Sequence, residues 1–175
     1  MTDKKFKAIF SNETVYSESK EAKSTYDKSR FGELKDNKII YSLVEAFYLI
    51  ETAKMNVYDE KNKIMKTEAF VKKAKEFEPK FTVRYAVYKE LRSRGYIIKT
   101  ALKFGADFRV YDRGIKPGED HAKWIVFPVF ETDVLTWFDF AAKNRVAHST
   151  RKKLLLAIVD AEKDVSFWES GWVKP

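Results

Sequence analysis

Apolar residues recur at helical spacing around position 45 of the chain. Leu43, Phe47 and Ile50 fall on one face of a helix, and this pattern begins directly after Ser42. Ser42 and Glu45 have the spacing of a capping box, in which two side chains bind the unpaired N–H groups at a helix start. The sequence therefore predicts a helix that begins at Ser42.

Other patterns precede and follow this helix. Residues 5–16 alternate between apolar and polar, which predicts a short hairpin that turns at Ser11-Asn12. Residues 17–38 are polar and rich in Lys and Ser, and this composition favours irregular chain. A narrow apolar stripe predicts a second helix from about Thr67.

The dipeptide Glu78-Pro79 interrupts the helical pattern, because proline restricts its own backbone and that of the residue before it. We therefore place a domain boundary at this point. Residues 1–79 are predicted to form one small domain and residues 80–175 a second one.

The C-terminal half has mostly the spacing of strands. A helix over roughly 82–94, ending at Gly95, comes first. The predicted strands cover 96–102, 108–112, 122–130, 134–141 and the neighbourhood of 167–173. A last helix is predicted from Ser149 to about Leu156. Because strands outnumber helices here, we expect a mixed sheet flanked by helices, and for the whole chain an α/β (α+β) fold.

Composition limits the functional classes. The 175 residues carry a formal net charge of +8, which favours an anionic partner such as a nucleic acid, although a basic surface that maintains solubility has the same composition. The chain has no cysteine and two histidines, so disulfides, thiol nucleophiles and a metal site are not expected. No run of about 18 apolar residues and no secretory signal is present, which favours a cytoplasmic protein.

Three residues of the C-terminal half have side chains that suit RNA cleavage. Tyr111, His121 and Lys152 supply a potential base, a potential acid and a fixed positive charge. Cleavage of a phosphodiester by its own ribose 2′-hydroxyl needs these three roles and no metal. Taken singly, each residue also has an ordinary explanation: an aromatic at a sheet edge, a solvated loop histidine and a lysine on a basic surface.

The surroundings of Lys152 strengthen its case. If Ser149 caps the last predicted helix, Lys152 lies in the first turn, where unpaired N–H groups bind anions and a lysine is unfavourable. A bound phosphate would offset that cost. Residues 143–153 contain several basic residues and no acid, which favours an anion site over a solvated surface. Composition does not decide between Lys152 and Lys153.

These motifs, in their order, resemble one known family. The segments GADFRVYDRG, DHAKWIV and RVAHSTRKKLLLAIVD, with WVKP at the end, resemble the archaeal tRNA-splicing endonucleases. The segment YSLVEAFYLIETAKMNV resembles the N-terminal domain of that family, and the similarity covers nearly everything from Phe31 to Pro175. The resemblance implies an accessory N-terminal domain followed by a catalytic endonuclease domain.

The resemblance also implies a catalytic triad of Tyr111, His121 and Lys152, and it selects Lys152 over Lys153. In the family the tyrosine takes the proton of the 2′-hydroxyl, the histidine protonates the departing 5′-oxygen, and the lysine stabilises the charge of the transition state. An unperturbed phenol has a pKa of about 10. The alternative for Tyr111 is therefore that it orients the hydroxyl without removing its proton.

A clamp for an unpaired RNA base is implied as well. Arg145 matches its first member and Trp172 its second, with Trp168 as the alternative to Trp172. Guanidinium and indole groups both stack on bases, which suits an unpaired nucleotide. In the family the second clamp residue is either an arginine or a tryptophan, and this sequence has a tryptophan there.

The implied function is excision of introns from precursor tRNA at bulge-helix-bulge structures. The reaction needs no metal or cofactor and leaves 2′,3′-cyclic phosphate and 5′-hydroxyl ends. The implied assembly is a homotetramer, a dimer of dimers, in which an acidic loop with Asp160, Glu162 and Asp164 docks into a neighbouring subunit; an ordinary acidic turn has the same composition.

Two other functions remain open at the level of sequence. A non-catalytic RNA-binding or structural subunit of such an assembly would share the fold and the basic surface but would lack the triad residues. A basic DNA-binding module belongs to a different class, and the chain contains no recognisable helix-turn-helix or zinc pattern to support it.

Overall fold

The computed structural model describes residues 5–101 and 105–175, which divide into two compact units. The first unit ends at Phe81 and the second begins at Thr82. Each unit contains a mixed five-stranded sheet, so the predicted α+β class with two small domains is confirmed. Within the described residues, no helix is long and apolar enough to cross a membrane.

The first unit is a sheet with three helices. Its strands are β1 (Phe6–Ser11), β2 (Thr14–Ser17), β3 (Glu33–Lys35), β4 (Lys38–Tyr41) and β5 (Met55–Tyr58), and its helices are α1 (Lys20–Ser29), α2 (Leu43–Glu51) and α3 (Thr67–Phe77). The strand order is β3-β4-β2-β1-β5, with β1 and β5 parallel and the other neighbours antiparallel. Phenylalanines join sheet and helices: Phe47 stacks on Phe70 at 5.8 Å, and Phe10 meets Phe70 edge-on.

The sequence predictions for the first unit have mixed outcomes. The hairpin of β1 and β2 and the helix α3 are confirmed, and α2 begins at Ser42 with both hydrogen bonds of the capping box. The prediction of irregular chain over 17–38 is wrong, because α1, β3 and β4 occupy most of it. The sequence does not predict α1, because Ala22 is its one buried residue and the helix therefore has no apolar stripe.

The second unit contains the three predicted reactive residues, one in its sheet and two in the segments that enter it. Helix α4 (Phe81–Ser93) begins at the last residue of the first unit. It leads into β6 (Ile97–Thr100), β7 (Phe108–Tyr111), β8 (Trp124–Phe130), α5 (Trp137–Ser149), β9 (Lys153–Val159) and β10 (Val165–Ser170). The strand order is β10-β9-β8-β7-β6, with β8 and β9 parallel and the other neighbours antiparallel. Leu102, the end of one predicted strand, lies outside the described residues.

One helix packs on each face of this second sheet. Ile125 of β8 and Leu154 of β9 belong to the same apolar cluster as Ala147 of α5. Because side chains alternate along a strand, Phe108 of β7 lies on the opposite face, where its ring is 6.1 Å from that of Tyr88 on α4. The predicted mixed sheet flanked by helices is therefore confirmed.

The chain between β8 and β9 differs from the prediction. The strand predicted at 134–141 and the helix predicted from Ser149 to Leu156 are both wrong, since α5 occupies Trp137–Ser149 and β9 follows it. Thr136 caps α5 by accepting the Asp139 N–H at 3.1 Å, and the Asp139 carboxylate accepts the Thr136 N–H at 3.2 Å. This capping box has aspartate at the position where glutamate or glutamine is usual. The β-branched and aromatic residues of this segment, which are common in strands, account for the wrong strand prediction.

Candidate active site

Three strands of the second sheet end or begin along one edge. Val110 of β7, Trp124 of β8 and Lys153 of β9 are register partners in one line across the sheet. The Lys123 N–H donates to the Val110 carbonyl at 2.9 Å, and the Lys153 N–H donates to the Lys123 carbonyl at 3.0 Å. Because β7 is antiparallel and β9 parallel to β8, the C-terminal end of β7 meets the starts of β8 and β9.

Tyr111, His121 and Lys152 all lie close to this line. Tyr111 directly follows its β7 member, Lys152 directly precedes its β9 member, and His121 is three residues before its β8 member. Neighbouring strands are about 4.8 Å apart, so two strand spacings, about 10 Å, separate the backbones of Tyr111 and Lys152. The fold therefore brings the three predicted residues to the same edge of one sheet.

Tyr111 is the last residue of β7 and is only 5% exposed. Its register partner on β6 is Ile97. Arg109 lies two residues earlier, on the same face of β7, and its guanidinium carbon is 6.0 Å from the centre of the Tyr111 ring. The strand and the neighbouring cation hold the phenol in place, which suits a group that orients a substrate hydroxyl.

His121 lies in the loop between β7 and β8. Gly114 and Gly118 let this loop turn through φ values of +81° and +96°, which favour glycine. The His121 N–H donates to the carboxylate of the adjacent Asp120 at 2.6 Å, and a bridge pairs Asp120 with Pro117 within the loop. The imidazole is exposed and has no hydrogen bond or ion pair to any residue that the structure describes. It is therefore accessible to a substrate.

Lys152 lies beyond the last turn of α5 and not in the first turn of a helix. The Ser149 hydroxyl does not cap a helix start but donates to the Val146 carbonyl at 3.0 Å. Arg151, with a φ of +54°, turns the chain toward β9, and the Lys152 ammonium donates to the Thr150 carbonyl at 2.8 Å. A cation is favourable beside the unpaired carbonyls of a helix end. The predicted position of Lys152 at the start of a helix is therefore wrong.

Lys152 and Arg109 form a pair of partly buried cations. Burial lowers the pKa of Lys152 below its ordinary value, and the Arg109 guanidinium lowers it further. The Arg109 Nε is buried and has no hydrogen-bond partner among the described residues. Because neighbouring desolvated cations repel each other, an anion that reaches both is bound favourably. Arg109 was not predicted from sequence, although its spacing of two from Tyr111 in a strand was the available signal.

A cavity of about 750 Å³ lies between α5 and the C-terminal segment. Arg145 and His148 of α5 line it together with Trp172, and Phe140 contributes an apolar wall. Trp168 is 62% exposed, as Trp172 is, but it does not line the cavity. The structure therefore brings Arg145 and Trp172 to one cavity and leaves Trp168 outside it. His148 was not singled out from sequence.

The predicted acidic loop is the turn between β9 and β10. The Asp160 carboxylate accepts the N–H groups of Glu162 and Asp164, each at 2.9 Å, and Lys163 adopts a φ of +72°. Glu162 and Asp164 are exposed. Two of the three acids are therefore available to a partner, whereas Asp160 also holds the turn together.

Comparison with known proteins defines the class to which this fold and site belong. The family model described as the tRNA intron endonuclease N-terminal domain matches residues 6–71. The model described as the tRNA intron endonuclease catalytic C-terminal domain matches residues 81–167, which include the sheet edge with Tyr111, His121 and Lys152. The two matches together cover most of the chain.

Similar proteins extend this result over nearly the full length. The chain is 48% identical over 139 residues to the tRNA-splicing endonuclease of Nanoarchaeum equitans, covering 76% of this chain and 88% of that protein. It is 41% identical over 165 residues to the enzyme of Pyrococcus abyssi, covering 94% of each chain. For Methanothermobacter thermautotrophicus the identity is 36% over 154 residues, covering 88% and 89%. The chain therefore belongs to the tRNA-splicing endonuclease family and is an enzyme, which confirms the resemblance inferred from its motifs.

Proposed function

We propose that this enzyme excises introns from precursor tRNA by cutting bulge-helix-bulge structures without a metal ion or cofactor. The observation that supports this proposal most is the common sheet edge of Tyr111, His121 and Lys152. RNA supplies its own nucleophile, the ribose 2′-hydroxyl. The protein then has to orient that group, move protons and stabilise charge, which these three side chains do by ordinary chemistry.

The proposed reaction is an in-line displacement at phosphorus. The 2′-oxygen forms a bond to the adjacent phosphorus while the bond to the 5′-oxygen breaks, leaving a 2′,3′-cyclic phosphate and a 5′-hydroxyl. Protonated His121 gives its proton to the departing 5′-oxygen. The Lys152 ammonium stabilises the negative charge that develops on the non-bridging oxygens.

Tyr111 acts at the attacking end of the reaction. Its position at the end of β7 and its burial support a fixed hydrogen bond to the 2′-hydroxyl. We therefore assign to Tyr111 the orientation of the 2′-hydroxyl, whose proton passes to solvent water.

Chelation of metal ions is expected to leave the activity intact. The enzyme should cut a bulge-helix-bulge RNA at the same rate with and without excess EDTA, because no step uses a metal. Mapping of the product ends should show 2′,3′-cyclic phosphate and 5′-hydroxyl groups. The same RNA with a single 2′-deoxyribose at the cleavage site is the control and should not be cut. Strict magnesium dependence with 5′-phosphate products would contradict the mechanism.

Arg145 and Trp172 are proposed to hold an unpaired bulge base between them in the α5 cavity. Stacking of a base on such groups contributes about 1–3 kcal/mol, which is roughly one to two decades in cleavage efficiency. Arg145→Ala and Trp172→Ala should each lose that much at subsaturating RNA. The double variant should lose less than the sum, because both side chains hold the same base.

The clamp has a matched control in Trp168→Ala. Trp168 is as exposed as Trp172 but lies outside the cavity, so its replacement should leave cleavage efficiency unchanged. An RNA with an abasic bulge should erase the difference between wild type and the Arg145 and Trp172 variants. Equal losses on the abasic and the intact RNA would refute the clamp. If Trp168→Ala loses cleavage efficiency and Trp172→Ala does not, the second clamp residue is Trp168.

The enzyme is proposed to assemble as a homotetramer in which the β9–β10 turn docks into a basic groove of a neighbouring subunit. Because Asp160 also holds the turn, the sharpest change is Glu162→Lys with Asp164→Lys and Asp160 retained. Like-charge repulsion should then split the tetramer into dimers, as measured by light scattering. Glu13→Lys with Glu33→Lys makes the same charge change at exposed sites elsewhere and should preserve the tetramer. A tetramer that survives the first pair of changes refutes the docking role.

A further inference from the structure

His148 is an exposed residue of α5 that the proposed mechanism and clamp leave without a role. It follows Arg145 by three positions, so both side chains lie on the same side of the helix. Both line the cavity of about 750 Å³ that also includes Trp172. The His148 ring lies 4.8 Å from the Trp172 ring, at an interplanar angle of 60°.

Three of the polar side chains that line this cavity, Asn144, Ser149 and Ser170, already have hydrogen-bond partners. The Asn144 amide donates to the Phe140 carbonyl at 3.0 Å and accepts from the Ser170 hydroxyl at 3.2 Å. The Ser149 hydroxyl donates to the Val146 carbonyl at 3.0 Å. Each of these groups is therefore committed to the protein itself.

Arg145, His148 and the indole N–H of Trp172 are the exceptions among the polar groups that line the cavity. Within the part of the chain that the structure describes, none of these three side chains makes a hydrogen bond or an ion pair. The indole is a donor only. A guanidinium that stacks on a base uses its flat surface, and stacking accepts every base because every base has such a surface. Discrimination between bases needs a hydrogen bond to the base edge, and the imidazole is available for it because it has one N–H donor and one acceptor nitrogen.

We infer that His148 is a specificity-determining residue of the bulge pocket, which hydrogen-bonds to the edge of the clamped base and so selects which base the bulge carries. Its edge contact with Trp172 keeps the imidazole directed into the cavity. The inference rests on the proposed function, since it assumes that an unpaired base enters this cavity.

The test is a comparison of base preference in two variants of the full-length enzyme. Bulge-helix-bulge RNAs would carry A, G, C, U or an abasic residue at the clamped position, and kcat and KM would be measured for each. His148→Phe keeps a ring beside Trp172 but has no nitrogen, whereas His148→Gln keeps donor and acceptor groups without the ring. Thermal melting of both variants establishes that they fold.

Wild type should prefer its best base over its worst by roughly three- to tenfold in kcat/KM, the effect of one hydrogen bond. In His148→Phe the four bases should become equivalent, mainly through KM, while the difference between a base and an abasic site remains. His148→Gln should retain part of the preference. A His148→Phe enzyme with the wild-type preference, or a wild type that treats all four bases alike, overturns the inference and leaves the proposed function standing. Wild type that cuts none of these RNAs overturns the proposed function itself.

Discussion

Replacement of His121 by alanine is expected to slow cleavage by about 10²–10⁴-fold, the usual loss when a general acid is removed. The departing 5′-oxygen would then leave as an unprotonated alkoxide. RNA affinity should be unchanged, because the exposed imidazole makes no contact that holds the loop and the backbone hydrogen bond of His121 to Asp120 does not need the imidazole. Single-turnover cleavage and RNA binding, measured on the same preparation, check both parts of this expectation.

A chemically altered substrate separates loss of the acid from a general disturbance of the site. When sulfur replaces the 5′-bridging oxygen, the leaving group is a thiolate, which departs without protonation because its conjugate acid is far stronger than an alcohol. The rate difference between wild type and His121→Ala should therefore become small on this RNA. A deficit that persists, or a variant within a fewfold of wild type on ordinary RNA, would show that His121 does not act as the acid.

Replacement of Lys152 by alanine should reduce the rate of bond breaking by about 10²–10³-fold, which is the typical effect of losing one preorganised group that stabilises transition-state charge. Its effect on RNA binding should be smaller, because the negative charge at phosphorus increases in the transition state. Saturating single-turnover kinetics measures the first quantity, and a binding titration at several salt concentrations measures the second.

Lys153→Ala is the matched control for this change. Lys153 is the next residue, but it lies at the start of β9 and forms an exposed ion pair with Glu169. Exposed pairs contribute about 0–1 kcal/mol, so this variant should fold normally and act mainly on salt-sensitive binding. Small and equal losses in the two variants would place both lysines on a solvated surface and remove Lys152 from the triad.

The pH dependence provides a further check on Lys152. The ammonium acts in its charged form, so activity falls as pH rises through the pKa of Lys152. Burial lowers that pKa first and Arg109 lowers it second. Arg109→Gln removes one of these two causes, so the alkaline limb of the kcat profile should move to higher pH. A limb that stays in place or moves to lower pH would contradict the electrostatic pairing of Arg109 and Lys152.

The two helix caps show where sequence patterns succeed and where they fail. The Ser42–Glu45 capping box precedes a run of apolar residues that the structure buries. The helix predicted from the capping box and the burial of its apolar face therefore agree. The Thr136–Asp139 box stands among apolar residues such as Trp137 and Phe138, which are 85% and 76% exposed. There the aromatic residues favoured a strand although the structure does not bury them, and the strand prediction failed.

The case for Lys152 shows the same limit at the site. Lys152 lies at the same sheet edge as Tyr111 and His121, as the order of the motifs led us to expect. The local argument, however, placed it at the start of a helix, whereas it follows the end of α5. The basic residues around Lys152 do not by themselves show whether they precede or follow a helix. Once the helix was predicted after Ser149 instead of before it, the wrong conclusion followed. The cause of the lowered pKa, burial beside Arg109, is a tertiary property.

By itself the sequence determined the family and the two-domain α+β class, because these depend on ordered motifs and on local spacing, and it predicted the reactive residue types. The tertiary structure alone decided which residues meet. The antiparallel β7 and the parallel β9 bring Tyr111, His121 and Lys152 to one edge, and the α5 cavity brings His148 and Arg145 to Trp172. Strand register and helix packing depend on contacts between residues far apart in the chain, and such contacts leave no periodic signal in the sequence.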